Sequence, residues 1–161
     1  MVVLGLDISS VSTGWAILTD GPTLKDYGRL ELSSKKSIKE RIYLFSILIS
    51  QILDIHHPDI VVIEDTYIAK NPSTSKLLNK FAGVAIYSCV QKLGADAKIA
   101  MVYPVSVRAA IFPKKKVDKK DIFCYIKDKY KLNLEFKFDN DITDAIAVAM
   151  YPFLNSIEGW L

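Results

Sequence analysis

Cysteine is scarce in this chain. Among 161 residues only Cys89 and Cys124 carry a thiol, and no Cys-x-x-Cys pair occurs. Two distant thiols cannot form the disulfide framework of a small secreted domain, so both read as small core residues of a reduced, intracellular protein. Long apolar runs are missing too. None reaches the roughly 18–20 residues that a membrane span needs. The N-terminus, MVVLGLDISS, has neither the basic region nor the small-residue cleavage site of a signal peptide, and it reads as a first strand. These absences point to the cytoplasm and away from the membrane. Histidine is also rare, with His56 and His57 at the end of one helical pattern. His56 falls on an apolar stripe and reads as a hydrogen-bonded structural residue rather than a ligand.

What is present suits one folded unit, residues 1–161. Half of the residues are hydrophobic and 11% are aromatic, which excludes intrinsic disorder. Net charge is +3, too weak alone to argue for nucleic acid. Its distribution says more. Between Arg108 and Lys131 there are nine basic residues and three acids, a net +6, and the rest of the chain sums to −3. A basic segment on a slightly acidic chain fits a polyanionic partner, though it also fits a solvated lysine-rich loop.

Apolar runs at 2–7, 15–20 and 24–32, joined by short polar turns, predict an antiparallel meander. Ser37 and Glu40 form a capping box. Ile38, Ile42, Phe45, Ile49, Ile52 and His56 then recur at helical spacing up to His57-Pro58. DIVVIED (59–65) is short and almost wholly apolar, as in a central strand covered on both faces. Asn71-Pro72 opens a second helix that runs to Gly94. Its small residues Ala82, Gly83, Ala85 and Ser88 suit close packing on the sheet or on a second subunit. A further strand is expected over 98–105 and a helix over 119–130 capped by Asp118. A last helix is expected to start at Asp141 and be interrupted by Pro152. The order β-β-β-α-β-α-β-α-α implies an α/β fold: a mixed five-stranded sheet, a three-strand antiparallel meander plus parallel strands, with helices on both faces.

Acids stand where apolar elements begin or end. Asp7 ends the first strand and Glu64 the fourth, and Asp141 and Asp144 share one face of the last helix. Each has a plainer reading when taken singly: a turn cap, a solvated strand end, or a pair favoured by a helix N-terminus. Taken together, with the first and fourth strands adjacent and parallel, they would meet at one sheet edge. Four crowded carboxylates repel one another unless a cation joins them. Oxygen-only ligands favour Mg²⁺, with Mn²⁺ as a substitute. Two such ions, about 3.5–4 Å apart, suit phosphodiester hydrolysis. Asp65 should point to the opposite face from Glu64, because strand side chains alternate. Ser9, Ser10, Ser12 and Thr13 lack a neighbouring base, so they read as turn residues whose hydroxyls can touch phosphate.

Asp7 in GLDISSVSTGWAIL, Glu64 in VVIEDTYIAKNPSTSKLLNKFAGVAI and the pair in NDITDAIAVAM resemble the RuvC family of Holliday-junction resolvases, within the ribonuclease H-like nucleases. The resemblance covers nearly the whole chain, in order. Its most specific part is the middle block. It implies a homodimeric, Mg²⁺-dependent endonuclease, in the cytoplasm of a bacterium or a phage-infected host, with two ions per site held by Asp7, Glu64, Asp141 and Asp144. The helix after Asn71 would contribute to the dimer. Tyr67 falls where the family carries an aromatic residue near the junction centre, and its ring can stack on any base. Lys70 lies in the same block. Arg108 and Lys119 match basic residues near the scissile phosphate, where they would stabilise charge. The chain departs from the family in IFPKKKVDKK, where a glycine-containing turn is usual. The choice among Lys114, Lys115, Lys116, Lys119 and Lys120 at the phosphate therefore stays open.

The expected activity is cleavage of four-way DNA junctions by paired symmetric nicks. A nuclease acting more broadly on forks and flaps is the alternative, and a non-catalytic junction-binding module stands further off. A sugar-kinase or actin-like ATPase needs two domains around a nucleotide, and 161 residues are too few. No nucleotide cofactor is therefore expected.

Overall fold

Alternation of side chains along the strands decides how the sheet is covered. The computed structural model describes residues 1–65, 72–157 and 159–161. Strands β1 (Val3–Asp7), β2 (Ser12–Thr19), β3 (Thr23–Glu31), β4 (Ile60–Glu64) and β5 (Lys98–Val102) form one sheet in the order β3-β2-β1-β4-β5. β1, β2 and β3 pair antiparallel, whereas β4 joins β1 and β5 in parallel. Leu4, Leu6, Val61 and Ile63 point to one face, and Val3, Ile60 and Val62 to the other. Both faces are thus apolar, as a parallel centre covered by helices requires.

Helices α1 (Ile38–His56) and α2 (Pro72–Leu93) cover the first face. Ser37 caps α1: its hydroxyl accepts from the Glu40 N–H, and the Glu40 carboxylate accepts from the Ser37 N–H at 2.9 Å. Phe45 and Phe81 meet edge to face at 5.3 Å between the two helices. Ala82, Ala85 and Ser88 are buried within the chain, whereas Gly83 has open space beside it. His56 stays structural, with Nε2 3.3 Å from the Asp26 carboxylate and its ring 5.7 Å from that of Trp15.

Helices α3 (Pro104–Ile111), α4 (Lys119–Tyr130) and α5 (Phe136–Leu154) cover the second face. α5 is apolar almost all round because it lies between the sheet and α3 and α4. Two glycines let it approach. A Cβ on Gly5 would lie 2.3 Å from Ala145 O, and one on Gly14 would lie 2.0 Å from Asp141 O. No side chain larger than hydrogen fits between strand and helix at either point.

The helix count is one higher than the sequence suggests. α3 occupies part of what reads as strand and basic loop. Pro104 does stop β5, but it also takes the first helical position, where its missing N–H is no loss. Eight residues are too few to show a helical period. α5 also begins earlier, at Phe136, and bends at Asp139, whose φ of −118° and ψ of 15° are not helical. The long segment carrying Asp141 and Asp144 therefore starts at this bend. Pro152 lies inside the helix, two residues before its end, rather than breaking it. Among the described residues no helix is long and apolar enough to cross a membrane.

Candidate active site

Strand register brings the first two acids together. Leu6 of β1 faces Ile63 of β4 in a parallel pair, so Asp7 and Glu64 come next on neighbouring strands. Both share the parity of Val3 and Val62, which points them to the face covered by α5. Asp65 lies beyond the strand, its N–H donating to Val102 O at 2.8 Å. α5 crosses β1 and β2 where Gly5 and Gly14 admit it, and so delivers Asp144 and Asp141 to the same edge.

Two cations enter from the other helices. Lys119, the first residue of α4, places Nζ 2.5 Å from the Asp144 carboxylate. Asp118 and Asp121 form a capping box that fixes this helix start. Arg108 comes from the last turn of α3. A pocket of about 40 Å³ is lined by Glu64, Arg108, Lys119 and Asp144, with Val107 and Ile122 among its apolar walls. That exceeds the ~10–15 Å³ of cavity that one water molecule needs.

The electrostatics are those of crowded, half-buried carboxylates. Burial pushes Asp7 up to about 7, helped by Asp144 and Asp141 and opposed by Lys119. Burial likewise pushes Glu64 up to about 8, helped by Asp7 and Asp144 and opposed by Lys119 and Arg108. Asp144 is raised by burial against the pull of Lys119 and Arg108. Burial alone would lower Lys119, but Asp144, Asp7 and Glu64 outweigh it and hold the ammonium above its ordinary value.

Asp141 is held differently. The Ser12 hydroxyl donates to its Oδ2, the Ile142 N–H donates to Oδ1 at 3.0 Å, and Arg29 stands 3.9 Å from Oδ1. The loop that carries Ser12 is itself tied down. Ser9 Oγ accepts from the N–H groups of Val11 and Ser12, and Arg41 donates to Ser10 O at 2.8 Å. Ser9 and Ser10 lie between β1 and β2, as a turn reading expects, whereas Ser12 and Thr13 open β2 and the Ser12 hydroxyl holds an acid of the site.

The crossover junction endodeoxyribonuclease RuvC family model matches residues 3–151. The chain belongs to the RuvC family. It is 35% identical to the RuvC protein of Caldicellulosiruptor saccharolyticus over 162 aligned residues, 97% of this chain and 94% of that one. It is 36% identical to the RuvC protein of Wolinella succinogenes, covering 93% of this chain and 92% of the other. Among solved structures, Thermus thermophilus RuvC in complex with a Holliday-junction substrate superimposes with a TM-score of 0.83. That match covers 96% of this chain and 93% of that one at 17% identity, and so bears on the ribonuclease H-like fold.

Within this RuvC-family chain, the structure brings Asp7, Glu64, Asp144, Lys119 and Arg108 together, with Asp141 at their margin. Lys114, Lys115, Lys116 and Lys120 are exposed, and the lysine that touches an acid of the cluster is Lys119. Tyr67 and Lys70 lie outside the described residues. Arg29 was invisible in the sequence, because its link to Asp141 joins β3 to α5 across most of the chain. No metal cage of three His, Cys, Asp or Glu side chains is preformed among the described residues. The donors nevertheless fit a hard divalent ion in type and in charge. All are oxygens, and burial together with mutual repulsion raises Asp7, Glu64 and Asp144 despite Lys119 and Arg108, so a cation bound among them would favour their charged forms.

Proposed function

We propose that residues 1–161 act as one nuclease domain that resolves four-way DNA junctions by hydrolysing phosphodiester bonds, in strands placed symmetrically by a homodimer. The observation that carries this reading is the convergence of half-buried Asp7, Glu64 and Asp144 with Lys119 and Arg108 at the end of β1 and β4. The relatives that match over more than nine tenths of the chain are named crossover junction endodeoxyribonucleases. A solved RuvC of the same fold is bound to a Holliday junction.

Asp7, Glu64, Asp144 and Asp141 would hold Mg²⁺, or Mn²⁺ in its place, as two ions. Bound there, the ions supply Lewis acidity at the scissile phosphate and ease deprotonation of the attacking water. The chain's own residues do the rest. The apolar side chains Val107 and Ile122 line the pocket and lower the local dielectric, which strengthens the charges beside them. Lys119 and Arg108 stabilise the charge that builds on the phosphoryl oxygens. Ser12 and Arg29 hold Asp141 in place. The exposed lysines 114, 115, 116 and 120, with Lys70 and the ring of Tyr67, serve the DNA beyond the cut.

The test is a labelled synthetic four-way junction incubated with and without Mg²⁺, beside linear duplex, fork and flap. Paired, metal-dependent nicks confined to the four-way junction are expected. Equal cutting of forks and flaps would make the chain a broader branched-DNA nuclease. Absence of metal-dependent cutting on every branched substrate would defeat the proposal.

A further inference from the structure

On the side of Asp141 away from Lys119 the surface holds a second feature. It is a shallow cleft of about 620 Å³ lined by residues that include Ser12, Arg29, Leu32, Ser33, Lys137 and Phe138. Two of these residues join it to the candidate active site, because Ser12 donates to Asp141 and Arg29 stands 3.9 Å from it. Phe138 is 56% exposed, which is unusual for a phenylalanine that packing could have covered. It lies just before the bend at Asp139, and its carbonyl accepts from Arg29. Lys137 places Nζ 5.3 Å from the centroid of this exposed ring. The acid of the cleft, Glu31, is already paired with Arg29 at 2.7 Å.

The rim is basic. Ser33 leads into a turn in which the Lys36 N–H donates to Ser33 O at 3.0 Å. Residues 33–41 carry Lys35, Lys36, Lys39 and Arg41 against Glu40, a net +3. Lys35, Lys36 and Lys39 are exposed. A second positive segment thus follows β3, at the opposite edge of the sheet from β5, which leads into the segment between Arg108 and Lys131.

We infer that this cleft holds the cleaved DNA strand on the far side of the cut, with Phe138 stacking on a base and Lys137, Lys35 and Lys36 meeting phosphates. The inference rests on the nuclease reading. A strand whose phosphate lies at Asp7, Glu64 and Asp144 is flanked on one side by Arg108 and Lys119. On the other side it passes Ser12 and enters the cleft. An exposed ring accepts any base, since every base has a flat face. The lysines act without regard to sequence. The occupant is nucleic acid rather than peptide because the free charges of the cleft and its rim are positive, and its exposed apolar groups are the Phe138 ring and one small side chain, Val11.

The experiment places 2-aminopurine, in turn, at each nucleotide flanking the crossover of a synthetic four-way junction, without divalent metal so that no strand is cut. The unsubstituted chain is expected to change the fluorescence at one position of the cleaved strand beyond the cut, apart from any change that Tyr67 causes nearer the junction centre. Phe138→Ala should abolish that change and weaken binding roughly tenfold, the scale of one lost base stack, while Phe138→Tyr keeps both signals. Lys35→Ala with Lys36→Ala should instead flatten the dependence of log affinity on log salt by about 0.9 for each phosphate no longer neutralised. All three residues are exposed, and circular dichroism melts check that the variants fold. If either the stacking signal or the salt slope stays as in the unsubstituted chain, the proposal falls. If the unsubstituted chain cuts the junction with Mg²⁺ and the variants bind as it does, the cleft fails and the nuclease reading stands. If it neither binds nor cuts, both fail together.

Discussion

Asp7 and Glu64 work against the fold that carries them. Each is an acid whose folded-state value lies well above its ordinary one near 4, at about 7 and about 8. The folded chain therefore binds more protons than the unfolded chain between about pH 4 and pH 8. Stability is highest below that window and is lost as pH rises through it. Asp20, Glu40 and Asp118 are exposed, lowered by hydrogen bonds, and act in the opposite sense only below about pH 4. Metal-free protein should thus melt at a lower temperature at pH 8.5 than at pH 5. The difference is on the order of 2–4 kcal/mol, given ~1.4 kcal/mol for each tenfold change in proton affinity and a pair that titrates together. Asp7→Asn should remove much of this slope and raise the melting point at pH 8.5, while abolishing junction cleavage and sparing junction binding. Added Mg²⁺ should raise the pH 8.5 melting point of the unsubstituted chain more than that of the variant. A flat melting profile would mean that these carboxyls are not crowded as described. At this scale the sequence was readable where an acid ended an apolar run, as at Asp7 and Glu64. It was silent on Arg29 and read Ser12 as a turn residue with a hydroxyl for phosphate, because nothing local marks a side chain that reaches across the fold to Asp141.

At the scale of elements, the site depends on how closely α5 lies on the sheet. Gly5 and Gly14 are the two points of contact that leave no room for a methyl group. Gly5→Ala would put a Cβ 2.3 Å from Ala145 O and 2.6 Å from Ala149 N, both of them backbone atoms of a buried helix that cannot turn aside. The helix must shift or the strand must bend. Overpacking of this kind typically costs about 1–3 kcal/mol and sometimes more, so a loss of about 3 kcal/mol in urea unfolding is expected. The same shift moves Asp144 away from Asp7, so the folded fraction should also lose most of its cleavage activity. Gly83→Ala is the control. It meets open space on α2 and should leave the monomer as stable or raise stability by roughly 0.5–1 kcal/mol. Strands and long helices were legible from period and caps. The capping box at Ser37 and Glu40 marked the start of α1, and the parity of Val61, Val62 and Ile63 marked a strand covered on both sides. α3 was hidden, because Pro104 served as both a stop and a start. The bend at Asp139 was hidden too, because no proline or glycine announces it. The missing glycine in IFPKKKVDKK does have a structural counterpart: Lys114 takes φ of 64°, a conformation glycine adopts without penalty.

At the scale of the whole molecule, the outer surface of α1 and α2 is more apolar than a monomer needs. Tyr87 and Val90 on α2 are 63% and 40% exposed, and Tyr43 and Ile47 on α1 are 66% and 37% exposed. Of the small residues for which the sequence left the sheet or a second subunit open, Ala82, Ala85 and Ser88 are buried inside the chain. A dimer would therefore rest on these larger outward residues, with Gly83 allowing close approach of a partner helix. A four-way junction has two-fold symmetry, and an isologous dimer places two equivalent sites across that axis. The mass in solution, measured by light scattering, should then be twice 18.1 kDa. Tyr87→Glu sets a charge in the middle of the contact, where an unpaired buried carboxylate is strongly unfavourable. Because Tyr87 is exposed in the single chain, the variant should fold with an unchanged melting curve at micromolar concentration apart from the loss due to dissociation. Its mass should fall to that of one chain, and its Mg²⁺-dependent products should change from paired nicks to single ones. A Tyr87→Glu protein that keeps the doubled mass and still cuts both strands together would place the dimer contact elsewhere on the surface.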